Sequence, residues 1–520
     1  MPAAFKPVVL MILDGLGITN EKEGNAFLNA NNVSTFKELD NYYPKTLLQA
    51  SGISVGLPWL QYGNSEVGHQ TIGTGQVTFQ DLPRITNSIK NGTFFENETI
   101  LKAIQTVKKN KAKLHLLGLA SDGGVNAHID HLLALLDIAK TNGIENRTFI
   151  HAIMDGRDAP PMSGTDFIKK ILNNGIGQIA TLSGRFYTMD RNNNWERIKK
   201  GYEAMALGKG IKETDPLAAL KKQYDRNLTD EYIKPVVITK NDNPVGPIQA
   251  NDMVIFLNYR KDRAKQIAEV FLNPGFDQFE RSLAEGVQFL SMIKYAEELQ
   301  GEVIFPPQEI KTRVSEIISS HGLNQLKIAE TEKYAHVTYF FNGGNETPYE
   351  RENQILVPSK NVTSFDEAPE MSALEITQKL VEEIDKDIYD FILVNYANPD
   401  MVGHTGTYEA GLVAIDNVNY YMREVIKKVL EKKGCLVITA DHGNIEEMIN
   451  LKTGEKDTQH SNNPVPCWIV NPKNRKPAAQ TTTASLGVQG MLVDVAPTIL
   501  NLLDINPSGL IGMDLRRIVK

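Results

Sequence analysis

Two cysteines in 520 residues leave no disulfide framework, and no C-x-x-C pair marks a structural zinc or a redox motif. Cys435 and Cys467 each lie inside an apolar run ("GCLVITA" and "VPCWIV"), so a reducing, cytoplasmic setting is expected. No apolar run approaches the roughly 20 residues of a membrane span. The N-terminal "PVVLMIL" stops at Asp14-Gly15 without a basic leader or a small-residue cleavage site, and so reads as a buried strand rather than a signal segment. Positive charge is not in excess either. The 55 Lys+Arg against 63 Asp+Glu give a net charge of −8, which removes any general electrostatic reason to bind nucleic acid or an anionic membrane. An anion site must therefore be local. With 39 Gly and 24 Pro there is no low-complexity bias, and 41% hydrophobic with 23% charged residues is the composition of a globular chain. A chain of this length accommodates roughly two to four domains.

Short aliphatic runs ending in polar or glycine turns are what the chain does have: "VVLMILDGLG", "LHLLGLASDGG", "FIHAIMDGRD", "MVIFLNYRKD", "DFILVNYANPD" and "CLVITADHGN". Helical patterns such as "HIDHLLALLDIAKTNG" and "TYEAGLVAIDNVNYYMREVIKKVLEKKG" lie between them, which predicts an α/β fold with mostly parallel sheets. In such sheets the residues just past the strand C-termini line the ligand crevice. Here those positions hold Asp, His, Arg or Asn. They also sort along the chain. Metal-ligand types occur at both ends (Asp14 and Ser65; Asp400, His404, Asp441, His442 and His460), whereas arginines crowd the middle. A core domain interrupted by an inserted one explains this, with seams at the polar stretches "GQVTFQDLPRI" and "PPQEIKTRVSE". The expected division is 1–78, 79–308 and 309–520.

"NPDMVGH" spaces Asp400 and His404 so that one helical turn aims both at a point, and His460 of "DTQHSNNPVP" completes an Asp/His/His set suited to Mn²⁺, Zn²⁺ or Co²⁺. A capped turn with two surface histidines would give the same pattern. In "VITADHGN" and "MILDGLG" a hydrophobic strand empties directly into Asp441-His442 and into Asp14, and carboxylates from neighbouring strands would converge. Together with the glycine-flanked Ser65 of "QYGNSEVGHQTIGTG", they favour a two-metal site in which a cation activates the serine hydroxyl. His69, in the same segment, reads as structural. Arg157, Arg185, Arg191, Arg260 and Arg263 follow strand-like runs and suggest a pocket for a small substrate with two or more anionic groups. Asp158 and His128 would be proton-transfer groups beside it. The alternatives are that Asp158 orients Arg157 and that His128 caps or packs a helix.

Taken together, "LDGLG", "GNSEVGH", "SDGGVNAHIDH", "DGRDAPP", "GRFYTMDRNNNWER", "NYRKDRAKQ", "FFNGG", "NYANPDMVGHTG", "ADHGN" and "QHSNNPVP" make nearly the whole chain resemble the cofactor-independent (2,3-bisphosphoglycerate-independent) phosphoglycerate mutases of the alkaline phosphatase-like superfamily. The resemblance implies an alkaline phosphatase-like parallel-sheet core interrupted by a second α/β domain. It also implies an isomerase of glycolysis and gluconeogenesis that interconverts 3- and 2-phosphoglycerate through a phosphoserine, with two divalent metal ions, most commonly Mn²⁺, and no bisphosphoglycerate. Asp400, His404 and His460 would hold one metal, and Asp14, Ser65, Asp441 and His442 the other. His128, Arg157, Asp158, Arg185, Arg191, Arg260, Arg263 and Lys333 would contact substrate, domain closure uniting the two halves. By the same resemblance the enzyme is a monomer. The chain departs from the family pattern at Tyr62, where methionine is common, at "GTGQ" in place of "GAGR", and at Lys261, where proline is frequent. None of these removes a ligand or a substrate arginine. A phosphatase, phosphopentomutase or sulfatase-like hydrolase would keep the metal ligands without the arginine clusters, and a non-catalytic metal-binding protein would lack the nucleophile or a ligand.

Overall fold

The computed structural model describes residues 5–478 and 482–519, and its chain divides into two compact units, 1–80 with 309–520 and 81–308. The first seam falls just past the expected residue 78. Gln80 N donates to Gly56 O at 2.7 Å, which keeps residues 79 and 80 on the first unit, and the helix Asp81–Lys90 opens the second.

In the first unit an eight-stranded sheet runs in the order Glu352–Val357, Gln325–Glu330, Phe391–Tyr396, Val8–Leu13, Cys435–Thr439, Val465–Val470, Lys45–Gln49, Val488–Met491. The first five strands are mutually parallel, and Val465–Val470 is antiparallel to both its neighbours. Val8–Leu13 is central and buried along its whole length, as an unbroken apolar run requires when helices cover both faces of a sheet. Each such side chain contributes about 1.5–3 kcal/mol on burial. Register sets Ile12 opposite both Asn395 and Thr439, so the three central strands end at one level and deliver Asp14, the turn before Asp400, and Asp441 to the same rim. The helix Tyr408–Glu431 lays Ala410, Ala414, Val418, Met422, Val425 and Val429 inward at three- and four-residue spacing, the stripe its sequence predicts.

The second unit has its own core and a sheet ordered Glu302–Phe305, Gln288–Ile293, Met253–Phe256, Leu114–Leu119, Thr148–Met154, Gln178–Gly184, Val236–Lys240, Ile211–Glu213, with the short Asn243–Pro244 paired to Val236–Lys240. The strands from Glu302–Phe305 to Gln178–Gly184 are parallel, and Val236–Lys240 reverses direction, pairing antiparallel with Gln178–Gly184 and Asn243–Pro244 and parallel with Ile211–Glu213. A polar chain crosses its interior: Asp252 Oδ2 lies 3.1 Å from His115 Nε2, His115 Nδ1 lies 3.0 Å from His151 Nε2, and His151 Nδ1 lies 2.9 Å from Thr181 Oγ1. Both rings are fully buried. Among the described residues no helix is long and apolar enough to cross a membrane. The α/β class, with a mostly parallel sheet interrupted in sequence by a second α/β unit, is thus what the chain adopts.

Candidate active site

Ser65 is the first residue of the helix Ser65–Thr74, whose preceding Asn64 accepts a hydrogen bond from Val67 N at 3.0 Å and so fixes the N-terminus. Gly68 lies on the inner face of this helix. A Cβ there would stand 2.7 Å from Asp441 O, so glycine is what lets the serine-bearing helix rest on the Asp441 turn. Gly15 does the same for Asp400, whose Cα would be 2.7 Å from an added Cβ. Ser65 Oγ donates to Asp14 Oδ1 at 3.1 Å and lies 2.9 Å from His442 Nε2. Lys333, from the short helix Thr331–Ala335, donates to Asp14 Oδ1 at 2.7 Å, to Ser65 Oγ at 2.7 Å and to Asp400 Oδ2 at 2.5 Å.

Asp400 lies in the helix Asn398–Gly403 and His404 caps its C-terminus, so the two meet across one turn: His404 Nε2 is 3.3 Å from Asp400 Oδ1. His460 Nε2 is 3.3 Å from the same oxygen and 3.0 Å from His404 Nε2. Each of these rings, and that of His442, directs Nδ1 at a backbone carbonyl: Thr458 O at 2.9 Å for His404, Gly63 O at 2.7 Å for His460, Gly443 O at 3.2 Å for His442. A carbonyl only accepts, so each Nδ1 carries a proton and each Nε2 is the nitrogen turned to the carboxylates, protonated in the charged ring and free to ligate once a cation displaces that proton. Three imidazole nitrogens, three carboxylates and a hydroxyl facing inward form a donor set that fits divalent cations. Within it, ligand atoms of Asp400, His442 and His460, and of Asp14, Asp441 and His442, lie within 4.8 Å of one another.

The electrostatics agree. Burial raises the Asp14 and Asp400 pKa values, but the Lys333 ammonium and the neighbouring His442, with His404 and His460 at Asp400, together outweigh it and hold both carboxyls well below the usual range. Burial lowers the His442 pKa, yet the carboxylates of Asp441, Asp400 and Asp14 outweigh it and raise it to about 10. A rim of excess negative charge thus gathers whatever positive charge is on offer, proton or metal.

In the second unit, Asp155 Oδ1 accepts from Arg157 N at 3.1 Å and Asp158 N at 3.0 Å, closing the turn after Thr148–Met154. Arg185 Nη1 reaches Asp155 Oδ1 at 2.5 Å and Asp158 Oδ2 at 2.8 Å, and Asn126 Nδ2 donates to the same Asp158 oxygen at 2.6 Å. Asp262 aligns two more guanidinium groups, Arg191 at 2.8 Å and Arg260 at 2.9 Å. Arg263 donates to Met189 O at 3.1 Å, and its pKa is lowered by burial and then by the positive charges of Arg191, Arg185 and Arg157. The middle arginines therefore do converge, into a cluster that an anion would discharge.

Against the sequence reading, the metal-ligand types come together as expected, with His442 lying between the two groups. Lys333 sits with the carboxylates and Ser65. Asp158 bonds Arg185 rather than orienting Arg157, which pairs instead with Glu231 at 3.1 Å. His128 caps Ile129–Thr141, its Nδ1 accepting from Asp130 N at 3.2 Å, which leaves the ring proton on Nε2. The sequence reading missed Asn395, Asn444, Glu446, Asn126, Asp155 and Asp262. Glu446 ties three loops, accepting from Gly17 N at 2.9 Å, Asn444 N at 3.0 Å and Asn463 Nδ2 at 3.0 Å, as well as from Ser461 Oγ. An Asp or Asn immediately after an apolar run was the available signal for Asp155. Nothing local marks the others.

A buried serine at a helix N-terminus, a cation-ready carboxylate–imidazole rim and an arginine cluster on a separate unit are the equipment of metal-assisted phosphoryl transfer. Residues 85–297 match the family described as BPG-independent PGAM N-terminus. The chain is 48% identical over 514 residues to the 2,3-bisphosphoglycerate-independent phosphoglycerate mutase of Clostridium perfringens (strain 13 / Type A), with 98% of each covered. It is 47% identical over 519 residues to the protein of that name from Clostridium botulinum (strain ATCC 19397 / Type A), covering 98% of this chain and 99% of that one. Among solved structures it is similar to Leishmania mexicana phosphoglycerate mutase at low cobalt concentration, with 29% identity, a TM-score of 0.52, and 98% and 97% of the two chains covered. The chain belongs to the 2,3-bisphosphoglycerate-independent phosphoglycerate mutases, a family of metal-dependent isomerases.

Proposed function

We propose that this protein interconverts 3-phosphoglycerate and 2-phosphoglycerate through a phosphoserine at Ser65, without 2,3-bisphosphoglycerate. The observation that carries the reading is Ser65 Oγ, buried at a helix N-terminus within 3.1 Å of Asp14, His442 and Lys333 atoms. Asp400, His404 and His460 hold one divalent cation, and Asp14, Ser65, Asp441 and His442 a second, with Mn²⁺ the expected ion and Co²⁺, Zn²⁺ or Mg²⁺ alternatives. Bound there, the cations supply positive charge to the phosphoryl oxygens and lower the pKa of the serine hydroxyl.

The chain's own groups do the rest. Ser65 Oγ attacks phosphorus in line, so the Oγ–P bond forms as the P–O bond to glycerate breaks. The helix N-terminus and the Lys333 ammonium stabilise the charge that phosphorylation adds. Arg157, Arg185, Arg191, Arg260 and Arg263 bind the carboxylate and phosphate of the substrate and keep glycerate in place. The proton released by Ser65 goes to the departing glycerate oxygen, and Asp158, through the Oδ1 that neither Arg185 nor Asn126 engages, takes the proton of the glycerate hydroxyl that attacks next and gives it up as Ser65 is regenerated. His128 Nε2–H is the neighbouring donor. Glycerate then reorients, its other hydroxyl attacks the phosphoserine, and Ser65 is regenerated. Water must be kept out at this stage, since hydrolysis of the phosphoserine would make the enzyme a phosphatase. The same reading has the enzyme act as a monomer in the cytoplasm, in keeping with two free, buried cysteines.

Phosphorus NMR of metal-stripped protein with 3-phosphoglycerate, with and without Mn²⁺ and with no bisphosphoglycerate, tests it. The expected result is Mn²⁺-dependent 2-phosphoglycerate without free phosphate, abolished in a folded Ser65→Ala variant. Free phosphate alone would establish a phosphatase and overturn the role given to the arginines, and unchanged turnover in Ser65→Ala would overturn the nucleophile.

A further inference from the structure

Behind the nucleophile runs a hydrogen-bond chain that the proposed chemistry does not use. Asn395 Nδ2 donates to Asp14 Oδ2 at 2.7 Å and lies 3.1 Å from His69 Nε2. His69 Nδ1 lies 2.9 Å from Ser65 O and 3.0 Å from Asp441 Oδ2. Asp14, His69, Asn395 and Asp441 are all at 0% exposure, so water does not substitute for any of these contacts.

The polarity of the chain is fixed from one end. The Asp14 carboxylate only accepts, so the Asn395 amide must turn its NH₂ toward it. The second N–H of that group then points at His69 Nε2, which must be the unprotonated nitrogen. His69 therefore carries its proton on Nδ1, which donates to Ser65 O and sets the positive edge of the ring 3.0 Å from the otherwise unpartnered Asp441 Oδ2. Asn395 Oδ1 is left buried without a hydrogen-bond partner, the cost of aiming both N–H groups at Asp14 and His69.

We infer that His69 and Asn395 form a positioning relay that sets Asp14 and Asp441 relative to each other and to the serine backbone. His69 stands one helical turn after Ser65, so the serine, its helix and both carboxylates are registered by a single imidazole. Asp14 has Oδ2 held by Asn395, which leaves Oδ1 to face Ser65, while Asp441 has Oδ1 held by Gly15 N at 3.3 Å and Oδ2 set between His69 Nδ1 at 3.0 Å and His442 Nε2 at 3.7 Å. The relay governs the affinity of the cation site built on Asp14 and Asp441 and leaves that built on Asp400, His404 and His460 unchanged. This inference rests on the ligand assignment proposed above.

The test is Mn²⁺ titration of the metal-stripped full chain, followed by calorimetry and by the electron-paramagnetic-resonance signal of free Mn²⁺, for wild type, His69→Phe, Asn395→Leu and the double variant. Wild type is expected to take up two ions. Each single variant should keep one at wild-type affinity and bind the other about 10–100-fold more weakly, as loss of an outer partner of a metal ligand does. The double variant should be no worse than either single one, since both act through the same two carboxylates. At saturating Mn²⁺, kcat should recover most of its loss while KM stays unchanged. Wild-type affinity for both ions in both variants, with only a lowered melting temperature, would reduce the relay to packing and overturn the inference. Should His69→Phe fail to fold, Asn395→Ser carries the same expectation. A wild type that takes up no second ion would overturn the ligand assignment itself.

Discussion

Replacing Lys333 by Met removes one ammonium and keeps most of the side-chain volume. The lysine is 4% exposed and donates at 2.7 Å to Asp14, 2.5 Å to Asp400 and 2.7 Å to Ser65. Removing one partner of a buried ion pair costs about 3–5 kcal/mol, because the surviving charge stays buried without a counter-ion. Two carboxylates survive here, but His442, its pKa at about 10, remains charged beside them and places the cost near the lower end. About 3 kcal/mol at roughly 2 °C per kcal/mol for a large domain lowers the melting temperature of the metal-stripped variant by about 6 °C. Mn²⁺ should narrow that gap, since a bound cation takes over as counter-charge. Turnover should not recover with it. The bond to Ser65 is charge-assisted and worth about 1.5–3 kcal/mol, so kcat at saturating Mn²⁺ should fall roughly 10–150-fold. Thermal scans with and without Mn²⁺, with initial rates by phosphorus NMR, read both effects. A metal-stripped variant as stable as wild type, or a deficit that Mn²⁺ leaves untouched, would refute the reasoning that Lys333 neutralises this rim.

Arg263→Met should raise KM for 3-phosphoglycerate about 10–100-fold and weaken its salt dependence, because a guanidinium crowded by Arg191, Arg185 and Arg157 loses its anionic partner; an unchanged KM in steady-state rates would count against the arginine pocket. Burial lowers the pKa of His115, partly offset by Asp252, and burial followed by the His115 charge lowers that of His151, so folding holds both neutral while the unfolded chain protonates them near the reference value of about 6.5. Their stability contribution is then complete above about pH 6.5 and falls below it by roughly 1.4 kcal/mol per pH unit per histidine, so denaturant midpoints of metal-stripped protein should drop between about pH 7.5 and pH 5.5, and less steeply in His151→Gln. With the His442 pKa raised to about 10 by neighbouring carboxylates, a cation must displace a proton to bind, so Mn²⁺ affinity and activity fall on acidification and a pH-stat registers proton release; titration curves that do not move between about pH 6 and 8 would contradict this. Gly68→Ala drives a Cβ to 2.7 Å from Asp441 O and should cost at least about tenfold in Mn²⁺ affinity by calorimetry.

Most of the carboxylate–imidazole rim was legible in the sequence because its signal is local. An apolar run that ends abruptly in Asp or Asp-His is a buried strand delivering that side chain to the sheet rim, and Asp14, Asp441 and His442 all have that form. Asp400 and His404 were legible for a similar reason, four residues being one helical turn. Pairings set by the tertiary fold were not. Asn395 sits in "FILVNY", and nothing nearby says that its amide meets Asp14, 381 residues away. Asp158 is adjacent to Arg157 in sequence, but Asp155 Oδ1 accepts both of their backbone N–H groups and turns the side chains apart, toward Arg185 and Glu231. His69 shows both halves of the lesson: its place one turn after Ser65 is legible, and the carboxylate on its other side is not.

The interruption of the first unit has a consequence for how the chain is made. Val8–Leu13 is central in its sheet, yet both its partners, Phe391–Tyr396 and Cys435–Thr439, are synthesised only after the entire second unit. At about 5–20 residues per second, the 381 residues between Asp14 and Asn395 amount to roughly 20–80 s on the ribosome. During that interval the second unit, continuous in sequence, has every contact it needs and folds, while an unpaired "VVLMIL" waits in front of it. A strand of that composition without its neighbours is prone to join other chains. The half of the enzyme that bears the nucleophile is therefore the half that depends on protection while the protein is being born.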